Sequence, residues 1–220
     1  MEFDSAALCG CVESPSTKRS VSLHPRLEAA AALLGKTSVL ADIGCDHGRF
    51  SAAMLQRGIA EKVIASDISA PSLKKAEQLA NVCGLSSKME CRISNGFSAY
   101  SAGETDKAVI LGMGGGVIRY ILSRSDSFAR SLECIVMQPM RGEAELRSYL
   151  YSNNYRIIDE AVVFDSGRYY QLISAKNGAP RQLPDCFEKG FFQFGAEAFN
   201  KRDPMPVSYT HLTLPTTERV

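Results

Sequence analysis

The sequence of 220 residues has almost no net charge: 25 Lys and Arg stand against 24 Asp and Glu, a formal +1. No global excess of either sign announces a nucleic-acid or membrane partner, so any basic patch must be local. No apolar run reaches the roughly 18 residues that a membrane helix needs. The N-terminus also lacks the apolar core of a signal peptide. Its seven cysteines (9, 11, 45, 83, 91, 134 and 186) are odd in number and scattered. That usage predicts reduced thiols in a cytoplasmic protein rather than a disulfide framework. Cys9-Gly-Cys11 has no second pair at metal-binding spacing, so no metal site is expected. What remains is 45% apolar and 22% charged residues, enough to bury the core of one ordinary α/β domain.

The chain divides into zones. Residues 1–20 are polar, Ser-rich and aperiodic, and read as a flexible extension. Residues 21–178 alternate strand and helix signals. Leu27, Ala30, Ala31 and Leu34 carry a helical apolar period that Gly35 stops. Short apolar strands are predicted at 38–43, 62–66, 89–93, 107–111 and 134–138, with helices at 49–57, 71–83, 115–124 and 142–152. Such alternation implies a mostly parallel sheet covered on both faces. Segments 156–164 and 169–175 are then joined by Asp165-Ser166-Gly167-Arg168, too short for a helix. They predict a hairpin, and so an antiparallel end to the sheet. Residues 179–205 are Phe-rich and read as the start of a helical region. From Pro206 to Val220 no period is usable, and this stretch, with His211, reads as a non-native tail.

The segment Ser38-Val-Leu-Ala-Asp-Ile-Gly-Cys-Asp-His-Gly48 ends an apolar strand in Asp42 and a loop framed by Gly44 and Gly48. A strand, a glycine turn and a helix start let backbone approach a nucleotide cofactor closely. The three-glycine fingerprint of dinucleotide folds is missing. The spacing fits the loop of S-adenosylmethionine (SAM) methyltransferases, with Asp46 where a middle glycine often sits. Asp67, followed by Ile68, ends the second strand about twenty residues on. It is placed to accept ribose hydroxyls, or else to serve as a helix cap. Asn95-Gly96 follows the third strand, where an adenine edge would lie; it also suits an ordinary turn. Gly112-Met113-Gly114-Gly115-Gly116 follows the fourth strand, a glycine density that asks for close backbone approach. The Asn/Asp-Pro-Pro-Tyr of many amino-nitrogen methyltransferases is absent there. Gln138-Pro139 closes the fifth strand on the same sheet edge.

These segments, with His24-Pro-Arg-Leu27 and Phe194-Gly195, resemble the bacterial tRNA (adenine-N1)-methyltransferases that modify adenosine 22 in the D-arm, the TrmK family. The resemblance runs from about Leu23 to Met205. It implies a Rossmann-like SAM methyltransferase domain over 21–178, a tRNA substrate and a C-terminal helical domain, here cut short. Cofactor contacts would fall to Asp42, Gly44, Gly48, Asp67, Ile68, Asn95 and Gly96. The acceptor side would fall to Asp46, His47, Gly112, Met113, Gly114, Gly115, Gln138 and Pro139. The chain departs from the pattern at Arg49-Phe50, where an aromatic or aliphatic residue often follows the glycine. It departs again at Met140, where Asn can follow Gln-Pro.

The implied reaction is in-line attack of adenine N1 on a sulfonium methyl, with the base turned out of its stack. Asp46, ahead of His47, is the group expected to orient the base or take a proton from its exocyclic amine. Arg26, Arg49, Arg119, Arg141 and Arg147 are the arginines considered for RNA phosphates. A small-molecule SAM methyltransferase and a non-catalytic SAM-binding module stand as alternatives, and a nicotinamide dehydrogenase as a distant fourth. The sequence leaves the oligomeric state open.

Overall fold

The computed structural model describes residues 20–180 together with Phe192 and Gly195. The expected extension over 1–20, save Ser20, the tail over 206–220 and nearly all of 179–205 lie outside the described residues. The elements run α1 (Pro25–Leu34), β1 (Thr37–Ile43), α2 (Arg49–Gln56), β2 (Ala60–Asp67), α3 (Ala70–Val82) and β3 (Met89–Ile93). They continue with β4 (Lys107–Met113), α4 (Gly115–Arg124), α5 (Asp126–Ser131), β5 (Cys134–Pro139), α6 (Glu143–Ser152), β6 (Tyr155–Asp165) and β7 (Arg168–Asn177).

The seven strands form one sheet in the order β3-β2-β1-β4-β5-β7-β6. The first five pair in parallel. β7 runs antiparallel to both β5 and β6, so the hairpin returns its second strand to the sheet and leaves its first at the edge. This is the Rossmann-like methyltransferase architecture anticipated from the strand pattern. Side chains of the central strands point alternately to two faces. Leu40 and Val109 pack under α1, α2 and α3, while Ala41, Ile43, Ala108 and Ile110 pack under α4, α5 and α6. Burial on both sides explains why these strands read as unbroken apolar runs.

Local chemistry sets the helix starts. Pro25 opens α1 behind His24, and the Ser69 hydroxyl caps α3 by accepting from Ser72 N at 3.3 Å. α5 carries no sequence signal strong enough to separate it from α4; Ser125 breaks the two apart with a non-helical backbone. Beneath β6 and β7 lies a buried ion pair, Arg147 Nε to Glu160 Oε1 at 2.7 Å, each side chain 1% exposed. Arg147 also donates to Gln171 Oε1 and, at 3.0 Å, to the Phe192 carbonyl. Gly195 lies so close to this pair that a Cβ there would approach Glu160 Cδ to 2.6 Å. Gly195 of the Phe194-Gly195 motif therefore sits against the hairpin, while Phe194 lies outside the described residues.

Candidate active site

Strand order reverses at β1, with β2 on one side and β4 on the other. Loops leaving β1 and its neighbours part there and open a crevice at the carboxyl edge of the sheet. A cleft of about 740 Å³ occupies that position, within the range of roughly 300–1,000 Å³ typical of small-molecule sites. It gathers Asp42, Gly44, Asp46 and His47 from the first loop, Asp67 and Ile68 from the second, Asn95 and Gly96 from the third, and Gly112 and Met113 from the fourth.

The first loop is fixed to β2 before any ligand arrives. Gly44 N and Cys45 N both donate to the Ser66 carbonyl, at 2.8 and 3.0 Å. Asp46 N donates to Asp67 Oδ2 at 3.1 Å, and Ser69 N to Asp67 Oδ1 at 2.8 Å. Asp67 thus both latches the glycine loop and presents its remaining lone pairs to the cleft. Gly44 has a left-handed φ of +73°, and a side chain there would overlap Met113 Cε. Only a residue without Cβ lets β4's last side chain lie across the loop. Gly48 caps the start of α2 and packs on Ala76 of α3.

Asp42 sits below the loop, 3% exposed, and accepts from Ser51 Oγ at 2.6 Å. Burial pushes its carboxyl up to about 6, against the stabilising bonds from Ser51 and with a smaller push from the Asp67 charge. Burial likewise drives the Cys45 thiol far above its ordinary range, helped by Asp42 and Asp67. Cys45 lines the cleft but offers no thiolate there.

Asp46 and His47 stand at the rim. Asp46 has a left-handed backbone, φ +50°, and its side chain is 72% exposed. His47 Nε2 lies 3.3 Å from Asp46 Oδ1 and 3.1 Å from Lys75 Nζ. An ammonium only donates, so the Lys75 contact uses the Nε2 lone pair, and a neutral ring then carries its proton on Nδ1. Asn95-Gly96 forms a serine-braced turn. Ser94 Oγ donates to the Gly96 carbonyl at 2.7 Å, and Asn95 N donates to Ser98 Oγ at 3.2 Å. The Asn95 side chain is left exposed at the cleft.

The glycine run that spans the end of β4 and the start of α4 divides its tasks. Gly112 borders the cleft, Gly114 is the N-cap of α4, and Gly116 faces open space. Gly115 is buried against the loop before α6: its N–H donates to Arg141 O at 2.8 Å, and a Cβ would come within 2.9 Å of the Gly142 carbonyl carbon. Gln138 and Pro139 are buried beneath the cleft rather than lining it. Gln138 Oε1 accepts from Gly112 N at 3.2 Å and from Arg26 Nη1 at 3.0 Å; its Nε2 donates to Pro139 O at 2.8 Å. Both ends of the amide are engaged, so it shapes the wall instead of reaching a ligand.

The wall's other half is Arg26, which the sequence offered only as a candidate for RNA phosphates. Arg26 lines the cleft, pairs with the buried Asp165 carboxylate at 3.6 Å, and stacks over Tyr170 at 5.5 Å. Its position in His24-Pro-Arg-Leu27 was the available signal, but nothing local places α1 beside the β6–β7 turn. Among the arginines considered for phosphates, Arg147 is buried with Glu160 and does not reach solvent, whereas Arg49, Arg119 and Arg141 are exposed.

The methyltransferase-domain family matches residues 23–173. The chain is 29% identical over 158 residues to the tRNA (adenine(22)-N(1))-methyltransferase of Bacillus subtilis, covering 72% of this chain and 66% of that protein. It spans 66% or less of the length of the curated relatives it matches. M. capricolum TrmK in complex with S-adenosyl-homocysteine superposes with a TM-score of 0.76 at 26% identity, over 86% of this chain and 83% of that one. The B. subtilis m1A22 tRNA methyltransferase TrmK gives 0.76 at 24% identity, over 88% and 83%, a likeness of fold.

Proposed function

Because the chain belongs to the methyltransferase-domain family, we propose that it transfers a methyl group from S-adenosylmethionine to N1 of adenosine 22 in the tRNA D-arm. The observation that carries this is one cleft, at the point where strand order reverses, that gathers Gly44, Asp67 and Asn95 together with Arg26 and Gly112. Relatives named as adenine-22 N1 methyltransferases, and the TrmK complex with S-adenosyl-homocysteine, support the choice of acceptor and cofactor.

The residues present suit that cofactor. Asp67 offers a carboxylate to ribose hydroxyls, the Asn95-Gly96 turn borders the space for an adenine edge, and Gly44 leaves the loop backbone bare. Bound there, S-adenosylmethionine supplies an electrophilic methyl carried by a sulfonium. The acceptor nitrogen is already nucleophilic, so the protein's task is orientation and exclusion of water. Gly112 and the Arg26–Gln138 wall bound the acceptor space. Asp46 orients the exocyclic amine and offers a negative charge to the adenine ring as it becomes cationic. His47, with Nε2 engaged by Lys75, holds the rim instead of taking a proton.

The test is transfer from labelled S-adenosylmethionine to an unmodified bacterial tRNA transcript, followed by nucleoside analysis. The expected product is N1-methyladenosine confined to the D-arm. No transfer despite measurable cofactor binding would sink the tRNA assignment.

A further inference from the structure

Adjoining the cleft through His47 and Arg49, a second cavity of about 340 Å³ opens between the segment entering α1, the start of α2 and the middle of α3. Its walls include Ser22, His47, Arg49, Lys75 and Leu79. No carboxylate lines it. Arg49 Nη2 donates to the Ser22 carbonyl at 3.1 Å, and Lys75 Nζ contacts His47 Nε2 at 3.1 Å. Neither cation has a carboxylate partner among the described residues. Arg26, Arg57, Arg92, Arg130 and Arg147 each meet an Asp or Glu, whereas Arg49, like several surface arginines, does not, and it alone of these shares a cavity with a second cation and His47.

Two cations, Arg49 and Lys75, converge on one concavity that no carboxylate lines, and their like charges favour an anion between them. A guanidinium, an ammonium and a serine hydroxyl together form a donor set for a tetrahedral oxyanion. His47 is common to both cavities, as is Arg49. An anion held here therefore lies one side chain away from the reaction cleft, as a phosphate next to a turned-out base would.

We propose that this cavity is a phosphodiester-binding subsite that grips the RNA backbone adjoining the target nucleotide. The proposal rests on the RNA acceptor put forward above. The same oxyanion chemistry belongs to the methionine carboxylate of the cofactor, and the test separates the two.

The test compares the full chain with its Lys75→Gln and Lys75→Arg variants. Lys75 is exposed on α3 and Gln is a good helix former, so folding is retained. Three quantities are measured: affinity for an unmodified tRNA transcript across a salt series, affinity for S-adenosylmethionine, and methyl transfer. Lys75→Gln is expected to weaken tRNA binding about five- to tenfold and to flatten the log–log salt slope by roughly 0.7–0.9, one phosphate's share. Cofactor affinity is expected to stay unchanged, and Lys75→Arg to restore binding. An unaltered slope in a chain that still methylates tRNA overturns the subsite and leaves the proposed reaction standing. A loss of cofactor affinity without loss of tRNA affinity assigns the cavity to the carboxylate and overturns it equally. Failure of the unaltered chain to bind or methylate tRNA removes both proposals.

Discussion

Arg26 and Gln138, 112 residues apart in the chain, meet through a 3.0 Å hydrogen bond from Nη1 to Oε1, and the same oxygen accepts the Gly112 N–H. One amide carbonyl thereby ties α1 and β4 to the end of β5. Gln138→Leu removes the acceptor shared by two donors that border the cleft, where water can replace it, and is expected to lower stability by about 0.5–1.5 kcal/mol in urea denaturation. Arg26→Ala keeps the amide but removes the wall. Transfer to tRNA should fall about tenfold to hundredfold, with cofactor affinity held within threefold. A parallel loss of both would move Arg26 to the cofactor side.

Asp46 separates side-chain from backbone effects because its φ is +50°. Alanine in that conformation carries a penalty of about 1 kcal/mol that glycine does not. Asp46→Ala should therefore be less stable than Asp46→Gly, while both lose turnover, by about a hundredfold or more if the carboxylate orients the base. Full turnover by Asp46→Gly would show that this position acts only through its N–H to Asp67.

Asp42 makes stability depend on pH in a direction opposite to that of a salt-bridged carboxylate. Its folded value, about 6, lies above the ordinary 3.8. The native state therefore binds a proton more tightly, a contribution complete below the lower value and lost as pH rises through the upper one. A shift of this size corresponds to about 3 kcal/mol at most. Asp42→Asn should exceed the parent in Tm at pH 7.5, and the gap should narrow toward pH 4.5. An identical gap at both pH values would contradict the assignment.

The Arg147–Glu160 pair predicts a large stability effect far from the cleft. Glu160→Ala strands a guanidinium that is 1% exposed, and should cost about 3–5 kcal/mol in equilibrium unfolding. Loss of less than 1 kcal/mol would mean that water reaches Arg147 in the variant.

The parallel strands were legible because burial on both faces leaves continuous apolar runs such as Val39–Ala41 and Val109–Leu111. The hairpin was legible because Ser166-Gly167 leaves no room for a helix; both residues have positive φ. What was not legible depends on contacts between distant segments. Gly112 to Gly116 look alike in sequence, yet Gly112 meets the cleft and Gly115 meets Gly142. Arg147 looked like a surface cation and is a core residue, because Glu160 and Gln171 arrive from the hairpin to meet it. Lys75 drew no attention on α3, since only folding brings it to His47.

The hairpin also orders events during synthesis. The latch between Asp46 and Asp67 needs only residues made early, whereas Asn95 and Met113 reach the same cleft from later strands. Asp165 and Tyr170, which steady Arg26, emerge after every parallel strand has been made. Closing so distant a contact comes late on entropic grounds as well. Chain order therefore delivers the glycine-loop side of the cleft before the residues that steady Arg26, and the last piece of the wall waits on the hairpin.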